Sequence, residues 1–170
     1  MKNIENTVFW ITGLSGVGKT TFSNALKKTL SKRNISSIIL DGDQIREAFD
    51  NEFGYSQQDR LILAKKYSQL SLLISKQNIT VIVSTISLFH EIHNWNRKNI
   101  KNYKEIFIER DFKNIVKENN KKIYGKNEEV VGISIEPQYP KNPDYHIHNI
   151  EEEDIQKYIG NQLKSNIREL

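Results

Sequence analysis

The sequence predicts an α/β fold in which helices cover both faces of a parallel five-stranded sheet. Two observations support this fold class. Short β-branched runs alternate along the chain with longer segments of helical composition, and the central runs are continuously apolar, as in strands buried on both faces. No repeat, low-complexity tail or Pro/Gly/Ser-rich linker interrupts the alternation. Such an order builds a parallel sheet with right-handed crossovers, and its ligands bind at the carboxyl ends of the strands.

The predicted strands are the apolar, β-branched runs, beginning with TVFWIT near the start of the chain. They cover residues 7–12, 36–40, 79–84, 103–109 and 145–148. Capping signals mark several predicted helices: Asp43 precedes a helix beginning at Gln44, Ser56 begins another, and the acidic run EEED opens the last. The helices cover residues 18–33, 44–51, 56–76, 89–101, 112–122 and 151–167. A length of 170 residues predicts a single domain over residues 1–170.

Composition excludes several classes of function. The chain has no cysteine, which excludes disulfides, thiolate zinc sites and cysteine nucleophiles. Its longest apolar runs are shorter than the roughly 18 residues that span a membrane, and the first residues lack the pattern of a signal peptide. We therefore expect a cytoplasmic protein without a membrane partner. The net charge of +4 reflects either a lysine-rich solvated surface or a field that attracts small anions, and no dense basic run predicts nucleic-acid binding.

The segment GLSGVGKTT follows the first predicted strand and has the pattern G-x-x-x-x-G-K-[ST] of a phosphate-binding loop. Glycines allow successive N–H groups to point at phosphate oxygens, and the following helix begins with a partial positive charge. Lys19 is expected to reach the β- and γ-phosphates, and the Thr20 hydroxyl to bind Mg²⁺. The sequence thus predicts ATP with Mg²⁺, bound by Gly13, Ser15, Gly16, Gly18, Lys19, Thr20 and Thr21.

Two carboxylates follow the second predicted strand, in LDGDQIR. Asp43 is interpreted either as the cap of the following helix or as the base that accepts a proton from a substrate hydroxyl. Asp41 could hold Mg²⁺ through water instead. Arg46 lies one helical turn after Asp43 and suits a second, anionic substrate.

The next motif, EFGYSQQDR, adds an aromatic residue and a second arginine. Tyr55 could stack on a base or be an ordinary packing aromatic. Arg60 could bind a phosphorylated acceptor or pair with Asp59 or Glu52.

These motifs, with TIS after the third strand, ERD after the fourth and VGI…P further on, resemble the adenylylsulfate (APS) kinase family over about residues 7–148. The resemblance implies a three-layer P-loop kinase fold with strand order 2-3-1-4-5, ATP–Mg²⁺ as donor, and the ribose 3′-hydroxyl of a small nucleotide as acceptor. It also implies a lid at about residues 112–130, and a homodimer as family members often form. Carried over to this chain, the resemblance assigns catalysis to Lys19 and Asp43, and it places Arg110 near the ATP base. It assigns acceptor binding to Asp41, Arg46, Tyr55, Arg60, Ser87 and Val130.

The departures from the family pattern cluster on the acceptor side. The family's Asn and Arg are replaced by Leu63 and Lys65, its Pro and Arg by Leu88 and His90, and its Phe and Asp by Val130 and Ser134. Base–aromatic stacking contributes roughly 1–3 kcal/mol, so loss of one aromatic weakens adenine binding. The sequence therefore resembles a divergent branch of the family, the cytidine diphosphoramidate kinases of bacterial capsule decoration, with APS kinase as the alternative.

Two other interpretations concern the rest of the chain. A nucleotide-dependent switch or ATPase would need an aspartate at the end of the third strand, but ITVIVSTIS has none. His90 and His93 with Glu91 could suggest a metal site. They lack a third well-placed ligand, so a surface helix start is expected instead. His146 and His148 are attributed to packing and solvent exposure.

Overall fold

The sheet of the protein is parallel and five-stranded, with the order β2-β3-β1-β4-β5. This computed structural model describes residues 6–111, 131–149, 155–156 and 159–160. The strands are β1 (Val8–Thr12), β2 (Ser37–Asp41), β3 (Thr80–Ser84), β4 (Tyr103–Glu109) and β5 (Tyr145–His148). The predicted fold class and strand order are confirmed, and the predicted strand bounds are correct to within one residue.

The helices between the strands are α1 (Lys19–Ser31), α2 (Gly42–Ala48), α3 (Gln57–Ser75) and α4 (His90–Asn99). The predicted helix at 112–122 and the predicted lid at 112–130 lie outside the described residues. Of the predicted final helix, the pairs 155–156 and 159–160 are described, and both are helical. Within the described ranges, no helix has the length and apolar character needed to cross a membrane.

The start of α2 differs from the prediction. The helix begins at Gly42, and its N-cap is Asp41, whose Oδ1 accepts a hydrogen bond of 3.1 Å from the backbone N–H of Asp43. The expectation that Asp43 caps a helix beginning at Gln44 is therefore wrong. Asp41 is the cap because its backbone is still extended, which lets its side chain reach the first free N–H groups of the helix.

The core forms two apolar layers, one on each face of the sheet. Alternate residues of β1 divide between them: Phe9 and Ile11 face α1, whereas Val8 and Trp10 face α3 and α4. All five residues of β1 are buried, as expected of the central strand of a sheet covered on both sides. Packing on both faces therefore holds β1 in place. The loop that follows β1 lies between the ends of β3 and β4.

Candidate functional site

The phosphate loop joins the end of β1 to the start of α1, and three of its glycines, Gly13, Gly16 and Gly18, have positive φ. Gly13 has φ +152°, and a Cβ there would collide with the Ile108 carbonyl oxygen and lie 3.0 Å from Val17 Cγ2. Gly18 is the N-cap of α1 and has a left-handed backbone with φ 94°. The loop can therefore pass close to β4 and turn into the helix only because side chains are absent.

Lys19 is held within this loop, with its Nζ donating a hydrogen bond of 2.7 Å to the Leu14 carbonyl. Burial lowers the pKa of Lys19 to about 8, although the nearby carboxylates of Asp43 and Asp41 oppose the shift. A desolvated ammonium interacts strongly with an incoming anion. The position is therefore suited to a polyphosphate, whose charges would stabilise the cationic form.

An oxygen-rich corner lies beside Lys19, where the Thr20 hydroxyl is 3.3 Å from Asp41 Oδ2. A hydroxyl and a carboxylate are the ligand types that Mg²⁺ takes, together with water and phosphate oxygens. The residues present therefore fit the predicted ion. Asp41, which the sequence assigned to the acceptor or to a Mg²⁺-bound water, lines the cavity over the phosphate loop and does not line the second cavity described next.

Asp43 stands where two cavities meet. One cavity lies over the phosphate loop and includes Lys19, Thr20 and Thr21 in its lining. The other has a volume of about 190 Å³ and extends toward α3 and the loop after β3. Five residues line both cavities, namely Ser15, Gly42, Asp43, Thr85 and Ile86. A molecule in each cavity would bring its reacting end to Asp43.

The polar wall of the second cavity is formed by two arginines around one tyrosine. Arg46 is buried and donates from Nη1 to the carbonyls of Phe53 (2.8 Å) and Gly54 (3.1 Å). Arg60 donates from Nε to the Tyr55 carbonyl at 2.8 Å. Both guanidinium groups lie over the Tyr55 ring, 4.6 and 5.3 Å from its centroid. The two positive charges and the ring therefore form one unit, which faces the cavity.

Asp59, considered from the sequence as a partner of Arg60, takes part in the cap of α3. Its carboxylate Oδ2 accepts from the Ser56 hydroxyl at 2.6 Å, and its N–H donates to the same hydroxyl at 3.1 Å. This pair caps α3, as the placement of Ser56 predicted.

The cavity also has an apolar lining, and two of the substituted family positions contribute to it. Leu63 from α3 and Leu88 from the loop after β3 are both buried there, and Leu88 packs with Val131 and Ile135. Ser87 is also buried, and its hydroxyl lies 2.9 Å from that of Thr85. Val130, the predicted counterpart of the second stacking aromatic, lies outside the described residues.

Two other substituted positions face away from the cavity. Lys65 forms an exposed ion pair of 2.7 Å with Glu91. His90 begins α4, and its Nε2 lies 2.9 Å from the Tyr139 carbonyl.

His93, the other histidine of α4, is buried, and its Nε2 lies 3.1 Å from the Ser87 carbonyl. The expected surface helix start is therefore correct for His90 and wrong for His93, because the α4 face that carries His93 packs on the sheet.

Among the polar side chains that line the cavity, Tyr67, Thr85 and Glu136 were given no role by the sequence analysis. Tyr67 lies one helical turn after Leu63 on α3, and this spacing could have identified it. Its hydroxyl donates to the Gly42 carbonyl at 3.0 Å, and burial raises its pKa to about 12. Glu136 comes from the loop after Ile135, and no local pattern places it at the cavity.

A third cavity, of about 470 Å³, opens on the other side of the phosphate loop. Leu14 and Val17 of the loop line it together with Arg110, Gly132 and Asn149. Arg110 thus lies beside the loop that binds phosphate, which is compatible with its expected place near the base of the donor nucleotide.

Comparisons with known proteins agree with this geometry. A family model described as adenylylsulphate kinase matches residues 5–148. The chain is 40% identical over 146 residues to the cytidine diphosphoramidate kinase of Campylobacter jejuni subsp. jejuni serotype O:2, covering 83% of this chain and 85% of that protein. It is 36% identical to a probable adenylyl-sulfate kinase of Pseudomonas aeruginosa, covering 89% of this chain and 75% of that one. A Mycobacterium tuberculosis APS kinase solved in complex with AMPPNP and APS superposes with a TM-score of 0.84 at 25% identity, covering 94% and 96% of the two chains.

Proposed function

The chain belongs to the adenylylsulphate kinase family and is a phosphotransferase, and we propose that it phosphorylates a cytidine nucleotide with a phosphoramidate tail. In this proposal ATP with Mg²⁺ is the donor and the ribose 3′-hydroxyl is the acceptor group. The observation that carries the proposal is the position of Asp43. It lies at the junction of the phosphate-loop cavity and a second cavity, which is lined by two arginines and by apolar side chains. A role in capsule phosphoramidate biosynthesis follows from this acceptor.

The proposed transfer needs few chemical groups from the protein. The acceptor hydroxyl oxygen forms a bond to the γ-phosphorus of ATP while the bond from that phosphorus to the β–γ bridging oxygen breaks, and ADP leaves. Asp43 accepts the hydroxyl proton. Lys19 neutralises charge on the β- and γ-phosphates, and Mg²⁺ held near Thr20 and Asp41 would supply further charge neutralisation.

The two walls of the acceptor cavity suit the two ends of such a nucleotide. Arg46 and Arg60 offer a concentrated positive charge for a diphosphate-like tail. Tyr55 is 44% exposed, and a base would contact the part of its ring that the two guanidinium groups leave open. Leu63 and Leu88 make part of the lining apolar, and the replacement of the family's second aromatic by Val130 removes stacking that a purine would use, which favours a pyrimidine.

APS kinase activity is the second candidate. The relationship to a probable adenylyl-sulfate kinase and the superposition on an APS kinase with bound APS favour it. Both candidates use the same donor side and the same proton acceptor. They differ only in the base and in the tail that the second cavity takes.

A coupled ADP-release assay separates the candidates. The enzyme is given ATP–Mg²⁺ with either APS or cytidine diphosphoramidate at matched concentrations. We expect kcat/KM to favour the cytidine nucleotide by about 100-fold, or ~2.7 kcal/mol. A preference for APS would overturn the proposed acceptor and leave the kinase intact, whereas ADP release independent of either nucleotide would indicate transfer to water.

A further inference from the structure

A group of three side chains at the carboxyl ends of β4 and β5 has no part in the transfer described above. We call Glu109, His146 and His148 the His–Glu cluster. Glu109 Oε2 lies 2.9 Å from His146 Nε2 and 3.2 Å from His148 Nδ1, and the three donor atoms all lie within 4.8 Å of one another. We propose that the His–Glu cluster binds a divalent transition-metal ion, with Zn²⁺ as the ion that best fits its ligands.

The sheet brings these residues together. His146 and His148 are two positions apart on β5 and therefore project from the same face. Glu109 is the register partner of His148, and the carbonyl of Glu109 accepts a hydrogen bond of 2.9 Å from the Asn149 N–H. The His146 ring also stacks on Phe107, with centroids 4.8 Å apart. Ligands mounted on adjacent strands are held more firmly than ligands on a loop.

The donor set and its spacing match a zinc site. Two imidazoles and one carboxylate form one of the ligand sets of open zinc sites, which leave the fourth position to water. Zinc holds such atoms at about 2.0–2.2 Å, so ligands at the corners of a tetrahedron lie about 3.3 Å apart. The separations of 2.9 and 3.2 Å are close to that value. Small side-chain rotations would place one ion between the three atoms.

An ordinary ion pair explains the cluster less well. One histidine is enough to pair with Glu109, yet both rings converge on the same carboxylate oxygen, and their centroids are only 3.8 Å apart. Two protonated imidazoles at that distance would repel each other, and exposed ion pairs contribute little free energy. A metal ion instead takes a lone pair from each neutral ring, which makes the close approach favourable.

The cluster is open to solvent and borders the third cavity. Its side chains are 40–61% exposed, so an ion can enter without any opening of the structure. Glu109 and His148 line the cavity that also includes Arg110. The proposed ion would therefore lie next to the donor side, but its binding requires neither nucleotide nor acceptor, and the test is independent of the proposed function.

The test is calorimetric titration of Zn²⁺ alone into tag-free, metal-stripped protein without nucleotide. We expect saturable binding of one ion per chain. His146→Gln and His148→Gln should each weaken it at least tenfold. The chain has four histidines and no cysteine, so His90→Gln, which changes a partly exposed histidine outside the cluster, is the matched control and should leave the affinity unchanged.

A spectroscopic measurement checks the third ligand. Co²⁺ in the same site should give the strong visible absorption of a tetrahedral ion, and Glu109→Gln should reduce it. Circular dichroism of the metal-free variants establishes that they are folded. The proposal is overturned if folded wild-type protein gives no saturable heat with Zn²⁺, if the His146→Gln/His148→Gln double variant binds as well as wild type, or if His90→Gln abolishes binding.

Discussion

The donor and acceptor sides of this kinase are built in different ways. The phosphate loop is a single run of nine residues, Gly13 to Thr21, and its shape is set by the backbone conformation that its glycines allow. The acceptor cavity is assembled from side chains of α2, the start of α3, the loop after β3 and the segment after Val131. In the proposed reaction the first surface binds a group common to all nucleotide donors, whereas the second binds what distinguishes one acceptor from another.

This difference indicates which part of such an enzyme can change its acceptor specificity. A backbone cradle tolerates few substitutions because each one alters the path of the chain. A cavity made of side chains from separate elements can change one wall at a time. The family positions that differ in this chain, such as Leu63 and Leu88, are of this second kind.

The largest expected effect is at the junction of the two sides. Asp43→Asn keeps the shape of the side chain but removes the proton acceptor, so kcat should fall about 100-fold or more while ATP still binds. Steady-state kinetics and calorimetric ATP binding measure the two effects separately. Glu47→Gln, an exposed change on the same helix, is the control and should leave kcat unchanged. Near-normal turnover of the Asp43 variant would show that another group accepts the proton.

A glycine substitution tests whether the donor side depends on backbone geometry. Gly13→Ala would force a Cβ against the Ile108 carbonyl at φ +152°. We expect the free energy of unfolding to drop by about 1–3 kcal/mol, with weaker ATP binding. In Gly42→Ala the new Cβ would lie 3.4 Å from the Ser84 carbonyl, which is an ordinary contact, and stability should be retained. Equal melting temperatures for both variants would contradict a glycine-dependent loop.

The acceptor side is tested by removing one positive charge from its wall. Arg60→Ala should raise the KM for the acceptor by about tenfold, ~1.4 kcal/mol, and leave the KM for ATP nearly unchanged. Lys65→Ala on the same helix removes an exposed charge that pairs with Glu91, and should change neither constant. If both KM values of the Arg60 variant rise equally, Arg60 does not belong to the acceptor site.

The smallest effect concerns the buried support of the acceptor wall. The Ser87 carbonyl can only accept, so His93 Nε2 carries the proton, and burial lowers the pKa of His93 below its ordinary 6.5. The unfolded chain then binds more protons than the folded one below pH 6.5, and stability decreases as the pH falls. Between pH 7.5 and 6.0 the loss should reach up to about 0.8 kcal/mol.

Urea unfolding at the two pH values measures this loss. His93→Gln keeps a donor for the Ser87 carbonyl but does not titrate, so its stability should change less over the same range. A variant with the same pH dependence as wild type would assign the loss to other groups.

The same contrast explains what the sequence could predict. The strands and the phosphate loop follow from contiguous patterns. The structure places Asp43, Arg46, Tyr55 and Arg60, which were singled out from such patterns, around one cavity with Ser87, which was singled out from the family resemblance. Glu136 joins that cavity through tertiary packing, which no local pattern encodes, whereas Tyr67 could have been identified from its helical spacing after Leu63. That Asp41, and not Asp43, caps α2 depended on where the extended backbone ends, to within two residues. The burial of His93 depended on which face of α4 meets the sheet.

The place of β1 at the centre of the sheet has an evolutionary consequence. The loop after β1 has the acceptor cavity on its β2–β3 side and the Arg110 cavity on its β4–β5 side. A duplicated gene can therefore accumulate substitutions on one flank while the other flank and the loop stay under unchanged selection. New acceptors can arise stepwise in this way, through intermediates that still bind their phosphate donor.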